Sequence, residues 1–395
     1  MRLCMISLDA VSQMDADRLL RLPALSALKK RGVFCDQIQT IYPTITYPIH
    51  TSLLTGCYPD RHGIGHNQPF QGDTPPALRK WFWEAGAIKV KTLHQAAKEK
   101  GMRVASILWP VSGKNKAVGR NFPEVLPLPG ESPALKMLQY SSPLWLARME
   151  ILYGKQRKSI RQPDLDEYAT LLCEKLYASH HPPDMLTVHF VDCDAMRHWH
   201  GVESKEAHDA MERLDNHVGR IVQAVEKAGL ADETLFCIVS DHGQKEAPKG
   251  VLLDMHLKNA CGARAQRLGM GAYIFGGDLE KAKAVLQENR REWKIGKILE
   301  EEELRALHAP ENVHLAVEAE EGCCFIDIAE ETFGEHGFSV DCPQAKTLFW
   351  LAGPGVRENV QLERADIVDI APTLAKALGL TLPQAQGKAI GEAFI

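Results

Sequence analysis

Five short patterns in this chain carry side chains that can do chemistry: Asp9, Thr46, Asp194 with His198 in DAMRHWHG, Asp241 with His242 in SDHG, and His336 in a late EHG. Thr46 lies in YPTITYPIHTSLLTGCYPDRHG, residues 42–63, just before a predicted helix. Pro48 suits the first turn of that helix, where its missing N–H had no partner to lose. Leu53 and Leu54 give the helix an apolar face. A hydroxyl at such a helix start sits among unpaired N–H groups at the positive end of a dipole, a place suited to phosphate. The same position suits a plain N-cap, a role threonine often fills. Asp194 and His198 are four apart, so on a helical turn they share a face and can reach one ion. Asp241 and His242 are adjacent at a strand end, where both can splay towards a common point. Mixed Asp and His ligation favours Zn²⁺, with Mn²⁺ or Fe²⁺ as alternatives, over the all-oxygen sites of Mg²⁺ or Ca²⁺. Asp192 is a reserve ligand, His200 should point elsewhere, and His50 and His62 read as local hydrogen-bonding groups.

The elements that must position these residues alternate between strand and helix. Apolar runs at 2–8, 33–39, 102–108, 185–191, 234–239 and 347–351 read as strands, and 19–28, 92–100, 165–176, 207–230 and 365–378 read as helices. This alternation predicts an α/β fold: a central, mostly parallel sheet with helices on both faces. Asp9, Asp194 and Asp241 each follow a strand, and parallel strands end on one edge, where α/β enzymes place their sites. Carboxylates crowded there repel one another unless something positive lies among them, and a pair of divalent cations answers that need. Two stretches break the rhythm. Residues 111–164, rich in Pro, Gly and Ser and then in aromatics, read as an insertion near the active face. Residues 249–329 read as a small α+β insertion or cap, with 313–318 and 323–328 as a hairpin. The core is then 1–248 and 330–395.

Composition narrows the function classes. The chain has 395 residues, 45% hydrophobic and 25% charged, with a net charge of -5 and a pI near 6.4. No basic field calls for a nucleic-acid polymer or an anionic membrane surface. The N-terminal apolar run is strand-length and lacks the core of a secretory signal, and no stretch is long enough for a transmembrane helix. The ten cysteines are scattered without a CxxC pair, which reads as reduced, buried thiols in a cytoplasmic protein. The expected partner is a small phosphorylated molecule.

These motifs, in this order, resemble the alkaline phosphatase superfamily, and within it the nucleotide pyrophosphatase/phosphodiesterase branch. That branch carries an Asp after the first strand, PTxTxPxH, TGxYPxxHGI, DxxxHxxG, SDHG and a late HG. Here they read SLDA, PTITYPIH, TGCYPDRHGI, DAMRHWHG, SDHG and EHG, and the tail VDIAPTLAKALGL resembles the family's closing helix. The resemblance implies one metal held by Asp9, Thr46, Asp241 and His242, and a second held by Asp194, His198 and His336. It implies Thr46 as nucleophile, a phospho-threonine intermediate and its hydrolysis by water. It also implies an Asn near the phosphoryl group where this chain has Ile49; the Tyr47 backbone N–H or a residue from an insertion is expected to replace it, and Asn67, which otherwise reads as a loop cap, is a second candidate near the substrate. A phosphomonoesterase or phosphonate hydrolase is the alternative. The monoesterase would need extra positive groups, for which Arg61 and Arg197 are the nearest candidates. A metal-dependent phosphosugar mutase is a more distant alternative.

Overall fold

The computed structural model describes all 395 residues. Six strands in the first two thirds of the chain, β1 (Arg2–Leu8), β2 (Gly32–Gln39), β3 (Val104–Ile107), β4 (Arg120–Phe122), β5 (Met185–Phe190) and β6 (Thr234–Ser240), belong to one sheet. Across it the order is Val360–Gln361, β2, Lys346–Ala352, β6, β1, β5, β3, β4. Lys346–Ala352 runs antiparallel to both its neighbours, and every other pair is parallel. The expected mostly parallel α/β sheet is therefore present.

β1 lies at the centre because its sequence, RLCMISL, is apolar on both faces, as a strand covered on both sides must be. Cys4, Ile6 and Leu8 enter one core with helices Pro23–Lys30, Asp164–Tyr177 and Lys205–Lys227. Leu3 and Met5 enter the other with Thr46–Thr55, Leu93–Glu99 and Ile370–Leu378. The long helix presents Leu214, Val218, Ile221 and Val225 to the first core. It begins at Lys205 because Ser204 caps it, its side chain accepting from Ala207 N–H.

Two sequence expectations are corrected here. The strand at 185–191 stops at Phe190, and Asp192–His200 is a helix, so Asp194 stands on a first helical turn. The buried carboxylate of Asp166 accepts the N–H groups of Val191 and Asp192, both at 2.9 Å, which satisfies two donors at the new helix start. Segments 313–318 and 323–328 do not form a hairpin. Leu315–Ala319 lies between Gly271–Phe275 and Ile295–Glu300 in a separate four-stranded sheet edged by Arg264–Arg267, while Cys323–Phe325 pairs in parallel with Lys249–Val251. That smaller sheet packs on its own core, including Leu257, Ile274, Leu286 and Val317.

Candidate active site

Register decides what meets at the sheet edge. Leu8 is level with Phe190 on one side and Ser240 on the other, so Asp9 and Asp241 emerge side by side, one residue past their strands. Ala10 turns away in the left-handed region, with φ 59°, a conformation costing about 1–2 kcal/mol for a residue with a Cβ. The turn aims the Ala10 N–H at Asp241 Oδ1, 3.1 Å away, and the His242 N–H reaches the same oxygen at 2.8 Å. Asp241 Oδ2 is left buried without a hydrogen-bond donor, and so is Asp9 Oδ1. Both face His242 Nε2, at 3.4 and 3.6 Å. His242 Nδ1 donates to the Gly243 carbonyl at 3.2 Å, which leaves the Nε2 lone pair for the site.

Thr46 is the first residue of helix Thr46–Thr55, not its cap; Ile45 holds the cap position and no side chain caps the helix. Thr46 Oγ1 lies 3.3 Å from His242 Nε2. One turn on, His50 donates from Nδ1 to the Thr46 carbonyl at 2.8 Å and accepts at Nε2 from Ser7, also at 2.8 Å. His62 bonds Ser52 and the Ile64 N–H. Both histidines brace the segment internally.

A second cluster lies beside the first. His198 Nε2 is 3.3 Å and His336 Nε2 4.0 Å from Asp194 Oδ1. His198 Nδ1 donates to the Gly334 carbonyl at 2.9 Å, and Gln244 donates to Asp194 Oδ1 at 2.6 Å. His336 Nδ1 is buried and unpaired, and its ring stacks on His242 with centroids 4.3 Å apart, which joins the two clusters.

The electrostatics define what these groups can hold. Burial, then the charges of Asp241 and Asp194, push Asp9 well above the usual carboxylate range, and burial raises Asp241 to about 6. Burial lowers His242 to about 4, and burial with His242 nearby lowers His336 to about 3, so both rings are neutral with lone pairs to offer. Against the cost of burial, Asp194 lifts His198 to about 9. Orphaned carboxylate oxygens, neutral imidazoles and a hydroxyl form a donor set that fits divalent cations of the zinc type. Asp9, Asp241 and His242 can converge on one ion, and Asp194, His198 and His336 on another.

These groups open onto a cleft of about 440 Å³. Asn67 lines it beside Thr46, and its Oδ1 accepts the Tyr47 N–H at 2.9 Å. That bond commits the Tyr47 N–H, which corrects the idea that it is free for substrate, and leaves the Asn67 amide hydrogens as the available donors. Ile49 is fully buried in the core below the helix, so its identity does not shape the cleft. Asp192 is no reserve ligand: it is buried against Arg213, 2.6 Å away. His200 is exposed. Arg197 pairs with Asp15 and the Ala10 carbonyl, and Arg61 lies on the surface, so neither supplies charge to the cleft.

Sequence reading missed several contributors. His189 holds Asp9 Oδ2 at 3.1 Å from inside the apolar run of β5, where it reads as core. Glu124 enters the cleft from the first irregular stretch, and Arg267 and Asp327 from the second. Arg267 donates to Glu335 at 2.9 Å. The only sequence signal for them was the placement of both stretches near the active face.

This sheet, with these acidic and histidine groups at its carboxyl edge, has the alkaline-phosphatase-like fold. More particularly, the chain belongs to the type I phosphodiesterase/nucleotide pyrophosphatase family, whose model matches residues 3–339. It is similar to ectonucleotide pyrophosphatase/phosphodiesterase family member 1 of Homo sapiens, 25% identical over 57% of this chain but only 21% of that protein. It is 23% identical to a bis(5'-adenosyl)-triphosphatase of Bos taurus, over 96% of this chain and 78% of the other. The solved structure of murine ectonucleotide pyrophosphatase/phosphodiesterase 5, an inactive threonine-to-alanine variant in complex with AMP, superposes with a TM-score of 0.76 at 18% identity, covering 100% of both chains. Membership in a family of hydrolases sets the phosphosugar mutase aside.

Proposed function

We propose that this enzyme cleaves phosphodiesters or phosphoanhydrides through a phospho-threonine intermediate on Thr46. The observation that carries the reading is the pair of ligand clusters around the Thr46 hydroxyl in one cleft. Asp9, Thr46, Asp241 and His242 would hold one divalent ion and Asp194, His198 and His336 the other, Zn²⁺ in preference to Mn²⁺ or Fe²⁺. When bound, the two ions would supply positive charge that favours ionisation of the Thr46 hydroxyl and offsets the charge that builds on the transferred phosphoryl group. Thr46 Oγ1 attacks phosphorus at the head of a helix whose dipole favours the transferred phosphoryl group. The bond to the leaving oxygen breaks, and the alcohol or phosphate departs. Water then cleaves the phospho-threonine and returns the hydroxyl. The Asn67 amide, fixed by the Tyr47 N–H, donates to a non-bridging oxygen. His189 and Gln244 hold Asp9 and Asp194 in place.

A nucleotide as one arm of the substrate is supported by the AMP complex of the similar murine structure and by the adenosyl substrate in the bovine relative's name. A diester is favoured over a monoester because Arg267, the arginine lining the cleft, is paired with Glu335. Residues 249–329 would act as a cap that shapes this pocket. Ten unpaired cysteines, eight of them buried, support a reducing, cytoplasmic setting; native disulfides found by mass spectrometry would refute it. The decisive test couples metal analysis to turnover of a nitrophenyl phosphodiester and its monoester. Two ions per chain, faster diester cleavage and a phosphate trapped on Thr46 by acid quench are expected. Diester cleavage without phosphate on Thr46 would overturn the mechanism.

A further inference from the structure

Residues 132–163 carry two helices, Pro133–Tyr140 and Pro143–Tyr153, that the chemistry above does not use. Their charge sets them apart. Six basic residues and a single acidic one, Glu150, stand in this segment of a chain whose net charge is -5. Glu150 is spent within it, accepting from Arg157 at 3.0 Å. Lys136 is buried, paired with Glu131 and set over the Trp83 ring. The other four, Arg148, Lys155, Lys158 and Arg161, are exposed and pair with no carboxylate. The whole-chain charge hides this local excess.

The same segment turns apolar groups outward. Leu144 is 89% exposed and Ile151 83%, and Leu135, Leu152 and Ile160 are each more than half exposed. Helical spacing puts Leu144, Arg148, Ile151 and Leu152 on one face of Pro143–Tyr153, with Lys155 continuing it in the next turn. Trp145, Leu146, Met149 and Tyr153 take the opposite face and pack against the main core. A surface helix ordinarily answers such an inner face with a polar outer one. Here the outer face mixes leucine and isoleucine with arginine and lysine. Ile160 and Arg161 carry the surface on to the half-exposed Trp199, across a groove that all three line.

We propose that this face docks on an anionic lipid bilayer, with Leu144 and Ile151 entering the acyl boundary and the four unpaired cations meeting lipid phosphates. Concentrated exposed apolar groups mark an interaction surface, and the charge among them selects the partner. A second copy of this chain fits poorly, because a two-fold contact would set these cations against the same cations. A nucleic acid would use the cations and leave Leu144 and Ile151 in water. A bilayer serves both: apolar side chains sink below the headgroups, while the long basic ones reach back to them. The contact is peripheral, since no helix is long and apolar enough to cross a membrane. It needs neither the ions nor the phosphodiester chemistry of the cleft.

The test sediments the metal-loaded protein, freed of excess metal, with vesicles of phosphatidylcholine, with and without phosphatidylglycerol. Binding should be at least about tenfold tighter to the anionic vesicles and should weaken as salt rises. Lys155→Gln with Lys158→Gln should weaken it about fivefold per charge removed. Leu144→Ser with Ile151→Ser should weaken it by at least about tenfold. Both double variants change exposed positions only and should melt with the wild type, so that lost binding is not lost folding. No binding, equal affinity for the two vesicle types, or binding that both double variants retain overturns the proposal. A wild-type dimer in solution that Leu144→Ser with Ile151→Ser dissolves also overturns it, because the face would then belong to a second copy.

Discussion

At the scale of single residues, the proposed mechanism depends on Thr46. It is held by a fully buried helix but does not cap it, so the hydroxyl contributes little to stability. Thr46→Ala should keep its melting temperature to within a few degrees and retain most of its metal, since three ligands remain at that ion. Turnover should fall at least about a thousandfold, as when a nucleophile is removed from a preorganised site. Thr46→Ser should keep measurable activity. A stable, metal-loaded Ala variant with near-native turnover would remove Thr46 as the nucleophile. Chelation is the matching test of the carboxylates. Stripping the ions should abolish activity and lower the melting temperature at neutral pH, because buried Asp9 and Asp241 then repel without relief. Added Zn²⁺ or Mn²⁺ should restore both, and a metal-free protein that melts no lower would argue against cation sites there. These residues were legible because each stands in a compact local pattern: a carboxylate after an apolar run, or a histidine one helical turn from an aspartate. Asn67 was legible only as a candidate, since the bond that orients its amide spans twenty residues.

At the scale of elements, the helix carrying Asp194 and His198 is set by a neighbour. Asp166, in the first turn of Asp164–Tyr177, accepts the N–H groups of Val191 and Asp192 and the Gln162 amide at 2.7 Å. Burial, then the charge of Asp192, raises its pKa to about 7. A carboxyl group with a folded pKa above its unfolded value, about 4, stabilises the fold fully below that lower value. The contribution is lost as pH rises through about 7. Asp166→Asn removes the ionisable group while its Oδ1 can still accept both N–H groups and the Gln162 amide can turn over. Compared with wild type, both metal-loaded, the variant should melt alike near pH 5 and a few degrees higher at pH 8. A variant that falls further behind as pH rises would show that ionised Asp166 stabilises the helix start. This tie explains why the end of β5 was misread, because nothing local in FVDCD signals a carboxylate twenty-five residues upstream. The mistaken hairpin has the same cause. Cys323–Phe325 has strand chemistry, but its partner, Lys249–Val251, is distant in sequence and mostly exposed.

At the scale of the whole molecule, the sheet supplies the ligand edge, and the cleft is completed by the chain after Thr46, through His66, Asn67, Gln68 and Trp81, and by the two irregular stretches. Periodicity revealed the sheet because buried parallel strands are apolar runs. It could not reveal Glu124, Arg267 or Asp327, which reach the cleft through long connections that follow no repeat. The unit built on Leu315–Ala319 and its neighbours is fastened over the cleft by contacts with the loop after Thr46. Arg79 grips both oxygens of Asp327, at 2.9 and 3.0 Å, His66 donates to the Arg267 carbonyl at 2.8 Å, and Gln266 donates to the Gln68 carbonyl at 2.9 Å. Arg79 and Asp327 are mostly buried, at 12% and 15% exposure, so the pair is shielded from salt better than a surface bridge. Neither residue belongs to a ligand cluster, so cutting the pair should disturb how substrate is held and not how it is cleaved. Arg79→Ala should raise KM by about three- to tenfold while metal content stays at two per chain and kcat changes less than about twofold. Asp327→Ala should have a similar effect, and the double variant should be no worse than either single one, because both remove the same tie. If kcat falls with KM unchanged, or if the two substitutions add, the pair is not the fastening that aligns the substrate, and that unit must be held by the bonds of His66 and Gln266 to backbone carbonyls instead.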